Sequence, residues 1–138
     1  MEKEFEFIDH TADIGIIAHG ASINQAFANA ARGLFSIITD LDDIREALHR
    51  DIEATAPDQE SLLVAWLNEL IYLFDTENII FNKFDITRLN NTRLEARAYG
   101  EKVDSSRHKL KTGVKAATYH MLKVEKNNGY QAQVLFDI

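Results

Sequence analysis

Polar and apolar residues alternate along Glu4-Phe5-Glu6-Phe7-Ile8, the two-residue period of a strand with one buried face. A polar run, Asp9-His10-Thr11-Ala12-Asp13, interrupts it, and a second apolar stretch extends from Ile14 to Ala18 before His19-Gly20. The pattern predicts strands over 2–8 and 14–19 with a polar turn between them. The period then lengthens. Ile23, Ala26, Phe27, Ala30, Ala31, Leu34, Phe35 and Ile38 recur at steps of three and four, one face of a helix. Ser22 and Gln25 have capping-box spacing at its start, each able to satisfy a backbone amide that the first turn leaves unpaired. Gly33 costs this helix about 1 kcal/mol relative to alanine. Its expected gain is close approach to a neighbouring backbone.

An acidic connection from Asp40 to Glu46 and a short strand over 50–55 follow. Pro57 and Asp58 announce a second helix, with Asp58 as its cap and Glu60 placed well against the dipole of the first turn. From Leu62 to Phe74 this helix is apolar nearly all round, Trp66, Leu67, Leu70 and Ile71 included. Such a helix is buried on more than one side and is expected centrally on a sheet. Beyond Asn78 the period returns to two, predicting strands over 79–89, 92–100, 113–124 and 130–136. Asn90-Asn91 and Asn127-Asn128-Gly129 are the hairpin turns, because Asn and Gly accept a positive φ cheaply. The polar, basic segment 101–112 is the longest connection in this half, a length associated with a functional or mobile loop. Early helices and a late strand meander make an α+β fold. The expectation is two helices packed on one face of a largely antiparallel β-sheet, in one domain over 1–138.

Composition narrows the chemistry. With 46% hydrophobic and 27% charged residues in 138, the chain can bury roughly two-thirds of its unfolded surface and fold alone. The absence of cysteine excludes a disulfide framework, a thiolate zinc site and a cysteine nucleophile. No apolar run approaches the ~20 residues of a membrane helix, and MEKEFEF lacks signal-peptide character, so a soluble, cytoplasmic protein is expected. The net charge of −7 is uneven: residues 1–60 carry 13 acidic and 4 basic side chains, residues 61–138 carry 9 and 11. An acidic chain is a poor general binder of nucleic acid, because phosphate affinity needs many cations together. One basic stretch (Lys102, Arg107, Lys109, Lys111, Lys115, Lys123 and Lys126) suits a protein partner of mixed charge or a small anion.

Dinucleotide-binding, phosphate-loop, zinc-protease and nucleophile-elbow motifs are all absent, which argues against a self-sufficient enzyme. Three stretches remain. In His10-Thr11-Ala12-Asp13, Thr11 and Asp13 can simply bond the amides of a turn; alternatively Asp13 offers a carboxylate to a hard cation, with His10 supporting it from behind. At Leu135-Phe136-Asp137-Ile138 an acidic strand end sets the Asp137 carboxylate beside the terminal one. Carboxylates pinned that closely repel unless a cation joins them. In Val114-Lys115-Ala116-Ala117-Thr118-Tyr119-His120, alternation puts Lys115, Ala117, Tyr119 and Met121 on one face. Lys115 is either a solvated lysine or a partner for the acidic site or for a phosphate.

Taken together, HTADIGI, the helix start with Gly20, Ser22, Ala26 and Phe27, LLVAWLNELIYLFD, VKAATYH and the final FDI resemble the archease family, in order, from Phe5 to Ile138. The resemblance implies an accessory factor, not an enzyme, for the tRNA-splicing RNA ligase that joins 2′,3′-cyclic phosphate and 5′-hydroxyl ends with GTP and Mn²⁺. Such factors promote guanylylation of the ligase and its multiple turnover, and broaden its nucleotide use. The resemblance also implies a metal site, assigned calcium in the family, at Asp13, Asp137 and Ile138, and a part for Lys115 in activation. Mn²⁺ or Mg²⁺ would suit the same oxygens. It further implies a ligase as the protein partner, with indirect contact to tRNA at most. The rival readings are a metal-dependent phosphohydrolase acting on RNA ends or nucleotides, with His10, His108 or His120 as base, and a general chaperone for RNA-modifying enzymes.

Overall fold

Strand β1 (Phe5–His10) pairs with β2 (Asp13–Gly20), and the chain then enters helix α1 (Ile23–Ile38). The computed structural model describes residues 3–10 and 13–138, with His10 described through its main chain. A single 3-10 turn, Leu41–Asp43, leads to β3 (Leu48–Thr55), and α2 (Gln59–Glu77) follows. Four strands complete the order: β4 (Ile79–Leu89), β5 (Arg93–Lys102), β6 (Ala116–Lys126) and β7 (Tyr130–Asp137). All pairings are antiparallel and the fold is α+β, as the periodicity implies. The strands divide into two sheets, however, ordered β1-β2-β7-β6 and β3-β5-β4. Alternation tells which face of a strand is buried but not which strand it will pair with.

The capping box forms as its spacing requires. The Ser22 hydroxyl accepts from the Gln25 amide at 3.1 Å, and the Gln25 side chain accepts from the Ala21 amide at 2.8 Å. Ser22→Ala is therefore expected to lower stability by about 1 kcal/mol, read as a shift in urea midpoint at unchanged slope. Gly33 meets side chains and not a backbone: a Cβ there would lie 2.8 Å from Ile16 Cδ1 and 3.3 Å from Phe5 Cγ. The missing Cβ lets α1 settle on the face of β2 that carries Ile14, Ile16 and Ala18.

Helix α2 packs against β6 of one sheet and β3 of the other, so it bridges the sheets and does not lie centrally on one. That position explains an apolar surface wider than one stripe. Trp66 is fully buried, its indole Nε1 donating to the Phe27 carbonyl of α1 at 3.0 Å. Phe35, Phe81 and Phe84 join α1 to β4, with ring centroids 5.7 to 6.3 Å apart. The hairpin turns follow the sequence. Asn128 and Gly129 have φ of 49° and 108°, and Asn90 Oδ1 accepts from the Thr92 and Arg93 amides. No helix among the described residues is long and apolar enough to cross a membrane.

Candidate functional site

Asp13 opens β2 and Asp137 closes β7. Because these neighbours run antiparallel, the first residue of one stands directly opposite the last residue of the other. The row continues outward: the His10 main chain pairs with Asp13 on β1, and Ala116 pairs with Asp137 on β6. The Lys115 amide also donates to the Asp137 main-chain carbonyl at 2.8 Å, which fixes the lysine's main chain against the end of β7. Ile14, Ile16, Val134 and Phe136 turn toward α1, so the alternate residues Asp13, Gly15, Leu135 and Asp137 belong to the other face. Four strands thus bring together residues from both ends of the chain.

Directly opposed residues have Cβ atoms about 5 Å apart, and like charges in that position destabilise a sheet. A hard cation converts the repulsion into shared ligation. The donors suit one: the two carboxylates and the main-chain oxygen of Ile138 are all oxygen, and Ca²⁺ takes six to eight such ligands. Asp13 is half-buried, while Asp137 and Ile138 are exposed, so positions remain for water or for a partner's atoms. Among the described residues no group of three or more His, Asp or Glu side chains converges. The side chain of His10, with Thr11 and Ala12, lies outside the described residues, and so does the support His10 was expected to give Asp13.

The segment leading to Lys115 is held to the body of the fold by hydrogen bonds. Glu101 is buried, and its Oε2 accepts from the Arg45 amide at 2.6 Å and lies 3.1 Å from His108 Nε2. Its Oε1 accepts from the Arg107 guanidinium. Burial pushes the Glu101 carboxyl up, but the bonds from the Arg45 amide, Arg107 and His108 outweigh it and hold the group below the usual value. His108 Nδ1 accepts from the Asp104 amide at 2.8 Å, which assigns the ring proton to Nε2, facing the Asp43 carbonyl and Glu101. Further along, the Thr39 hydroxyl donates to the Lys109 carbonyl and the Lys111 amide to the Ile38 carbonyl. The segment is thereby clamped to the end of α1 before it reaches β6.

β6 begins at Ala116, later than the periodicity predicts, and its regular pairing breaks after Thr118. The alternation assigned to Tyr119, His120 and Met121 therefore does not hold. This bulge and the Glu101–His108 cluster are the features that sequence reasoning missed. Tyr119-His120-Met121 alternates like any strand and contains no Gly or Asn to mark a left-handed residue. A separate hollow of about 570 Å³ on the three-stranded sheet is lined by Asp51, Glu53, Asp85, Glu95, Arg97 and Tyr99. Within it Arg97 pairs with Asp51 at 2.8 Å, and Arg93 from its rim pairs with Glu53 at 2.9 Å. Hydrogen bonding to Arg97 holds the Asp51 carboxyl below its usual value.

Residues 5–138 match the model of the Archease protein family (MTH1598/TM1083). The chain is 39% identical to protein archease of Methanosarcina mazei over 141 residues, covering 99% of this chain and 97% of that one. It is 42% identical to protein archease of Sulfolobus acidocaldarius over 136 residues, covering 97% and 98%. The solution structure of Methanobacterium thermoautotrophicum protein 1598 superposes with a TM-score of 0.84 at 37% identity, over 98% of this chain and 99% of that one. With the match running from the first strand to the final residue, and the two-sheet fold shared, the chain belongs to the archease family.

Proposed function

We propose that this chain is a non-catalytic activator of the GTP- and Mn²⁺-dependent tRNA-splicing RNA ligase. In this reading it promotes guanylylation of the ligase and its multiple turnover, and widens the range of nucleotides used. The observation that carries the reading is the direct opposition of Asp13 and Asp137 with the Lys115 amide bonded to the same residue. Family membership supplies the biological context, and the chain has no cysteine to serve as nucleophile.

Asp13, Asp137 and the Ile138 main-chain oxygen would hold a divalent cation, most suitably Ca²⁺, with Mn²⁺ and Mg²⁺ also compatible with oxygen donors. Bound there, the ion supplies concentrated positive charge for phosphate oxygens. The protein's part is positional. The strand pairing keeps two carboxylates together at an exposed sheet end, where a partner's active site can reach them. Lys115, exposed and tied through its amide to the Asp137 carbonyl, would add a cation for negative charge developing on nucleotide phosphates. The partner is the ligase itself, and contact with tRNA is indirect, in keeping with the net charge of −7.

The test is ligase turnover on RNA bearing 2′,3′-cyclic phosphate and 5′-hydroxyl ends, with Asp13→Ala, Asp137→Ala and Lys115→Ala compared with wild type. The aspartate variants should lose stimulation, and Lys115→Ala should slow guanylylation by roughly tenfold or more. Thermal melts establish that each variant is folded. Undiminished stimulation by all three folded variants would refute the proposal, and turnover of RNA ends or nucleotides by the chain alone would favour a phosphohydrolase.

A further inference from the structure

Between Thr118, paired with Leu135, and Lys123, paired with Gln133, the four residues Tyr119–Leu122 of β6 stand against the single residue Val134 of β7. Within this bulge Met121 has φ of 56°. The other non-glycine residues with positive φ among those described are Asn78 and Asn128, which tolerate that region; Met121 does not. The conformation is braced. Gln133 Nε2 donates to the Met121 carbonyl at 2.8 Å, the His120 amide to Thr118 Oγ1 at 3.3 Å, and Thr118 Oγ1 to the Leu135 carbonyl at 3.1 Å. Gln133 and Thr118 belong, by register, to the face that carries Asp13 and Asp137. On that face Leu135 is fully buried although it stands outside the main core, its Cδ2 occupying the space that a Cβ on Gly15 would take.

The braced bulge leaves Tyr119 66% and Met121 46% exposed. Strain held by three hydrogen bonds thus presents two large side chains to water. Tyr119 stands three residues along β6 from Ala116, the neighbour of Asp137, or about 10 Å at the rise of a strand. A standard interface covers about 800 Å² on each partner, a disc of roughly 16 Å radius. A partner covering that much surface around the carboxylate pair reaches as far along β6 as the Tyr119–Met121 bulge, whose braces Gln133 and Thr118 lie on the same face.

We infer that the Tyr119–Met121 bulge is the apolar anchor by which the protein partner seats itself over the Asp13–Asp137 pair. The fitting partner surface is an apolar socket next to a bound divalent cation or a cationic patch. This rests on the reading above and commits to the ligase as occupant. The bulge supplies affinity and the carboxylates supply the ionic contact.

The experiment compares wild type with Tyr119→Ala, Met121→Asn and the double variant; asparagine keeps a residue suited to positive φ while removing the apolar side chain. Ligase stimulation is titrated, Ca²⁺ and Mn²⁺ binding to the chain alone is measured by calorimetry, and a photo-crosslinker is carried at position 119. The half-saturating concentration should rise at least about tenfold in the double variant, with cation affinity unchanged, and position 119 should crosslink to the ligase. A folded double variant that stimulates at wild-type concentrations would overturn the assignment. So would crosslinks confined to RNA or to a second copy of the chain while wild type stimulates. Should wild type itself neither bind nor stimulate the ligase, the functional reading fails first and takes this occupant with it.

Discussion

Millimolar Ca²⁺ is expected to raise the melting temperature of the wild-type chain and to leave that of Asp137→Asn where it was. A ligand at one hundred times its dissociation constant stabilises the state it binds by about 2.7 kcal/mol. For a domain of this length that amounts to roughly 10 °C. Asparagine matches aspartate in shape, and the main-chain pairing of residue 137 with Asp13 and Ala116 does not depend on the carboxylate. The variant should therefore fold and lose only the ligand charge. Asp9→Asn is the control for general charge effects, because Asp9 is exposed and pairs with Ile14, one position away from the Asp13 row. It should keep the full Ca²⁺ response. Equal shifts in wild type and Asp137→Asn would remove residue 137 from the cation site.

Replacing Glu101 with alanine should cost about 3 kcal/mol, since it leaves buried partners without an acceptor. The Arg45 amide, the Arg107 guanidinium and His108 Nε2 all address this carboxylate. The consequence reaches the candidate site through the chain: amides between 109 and 115 should exchange faster with solvent once the clamp at 101–108 loosens. The pH dependence has a definite sign. The folded Glu101 carboxyl lies below its ordinary value of 4.5, so its contribution is fully present above that pH. It is lost as pH falls through the lowered folded value. Wild type should consequently shed stability below about pH 4.5, and Glu101→Ala should show a shallower decline. Urea denaturation across that range measures both slopes; parallel curves would dismiss the linkage.

Much of the secondary structure is legible in short windows of sequence because its causes are local. Ser22 and Gln25 cap α1 as their spacing requires, and the asparagine turns close both late hairpins. Asp58 likewise accepts from the Ser61 amide at 2.8 Å, and that bond holds its carboxyl below the usual value. The bulge shows where this reading stops. Nothing in Tyr119-His120-Met121 departs from strand alternation, and the left-handed Met121 is sustained by Gln133 of β7 and by Thr118, partners that exist only once the sheet has formed. His108 gave no local sign of being buried; its partners Asp43 and Glu101 come from elements separated from it in sequence.

The candidate site divides in the same way. By itself the sequence determined the α+β character and the positions of both helices, and its family resemblance singled out Asp13, Asp137, Ile138 and Lys115 as candidates. Periodicity and family motifs suffice for that, because each is read from neighbours along the chain. Only tertiary structure decided that the strands form two sheets, that β7 returns to lie beside β2, and that this pairing sets Asp13 squarely against Asp137. Register between distant strands is settled by which apolar faces meet over the core, and a slip of one residue would turn the aspartates to opposite faces.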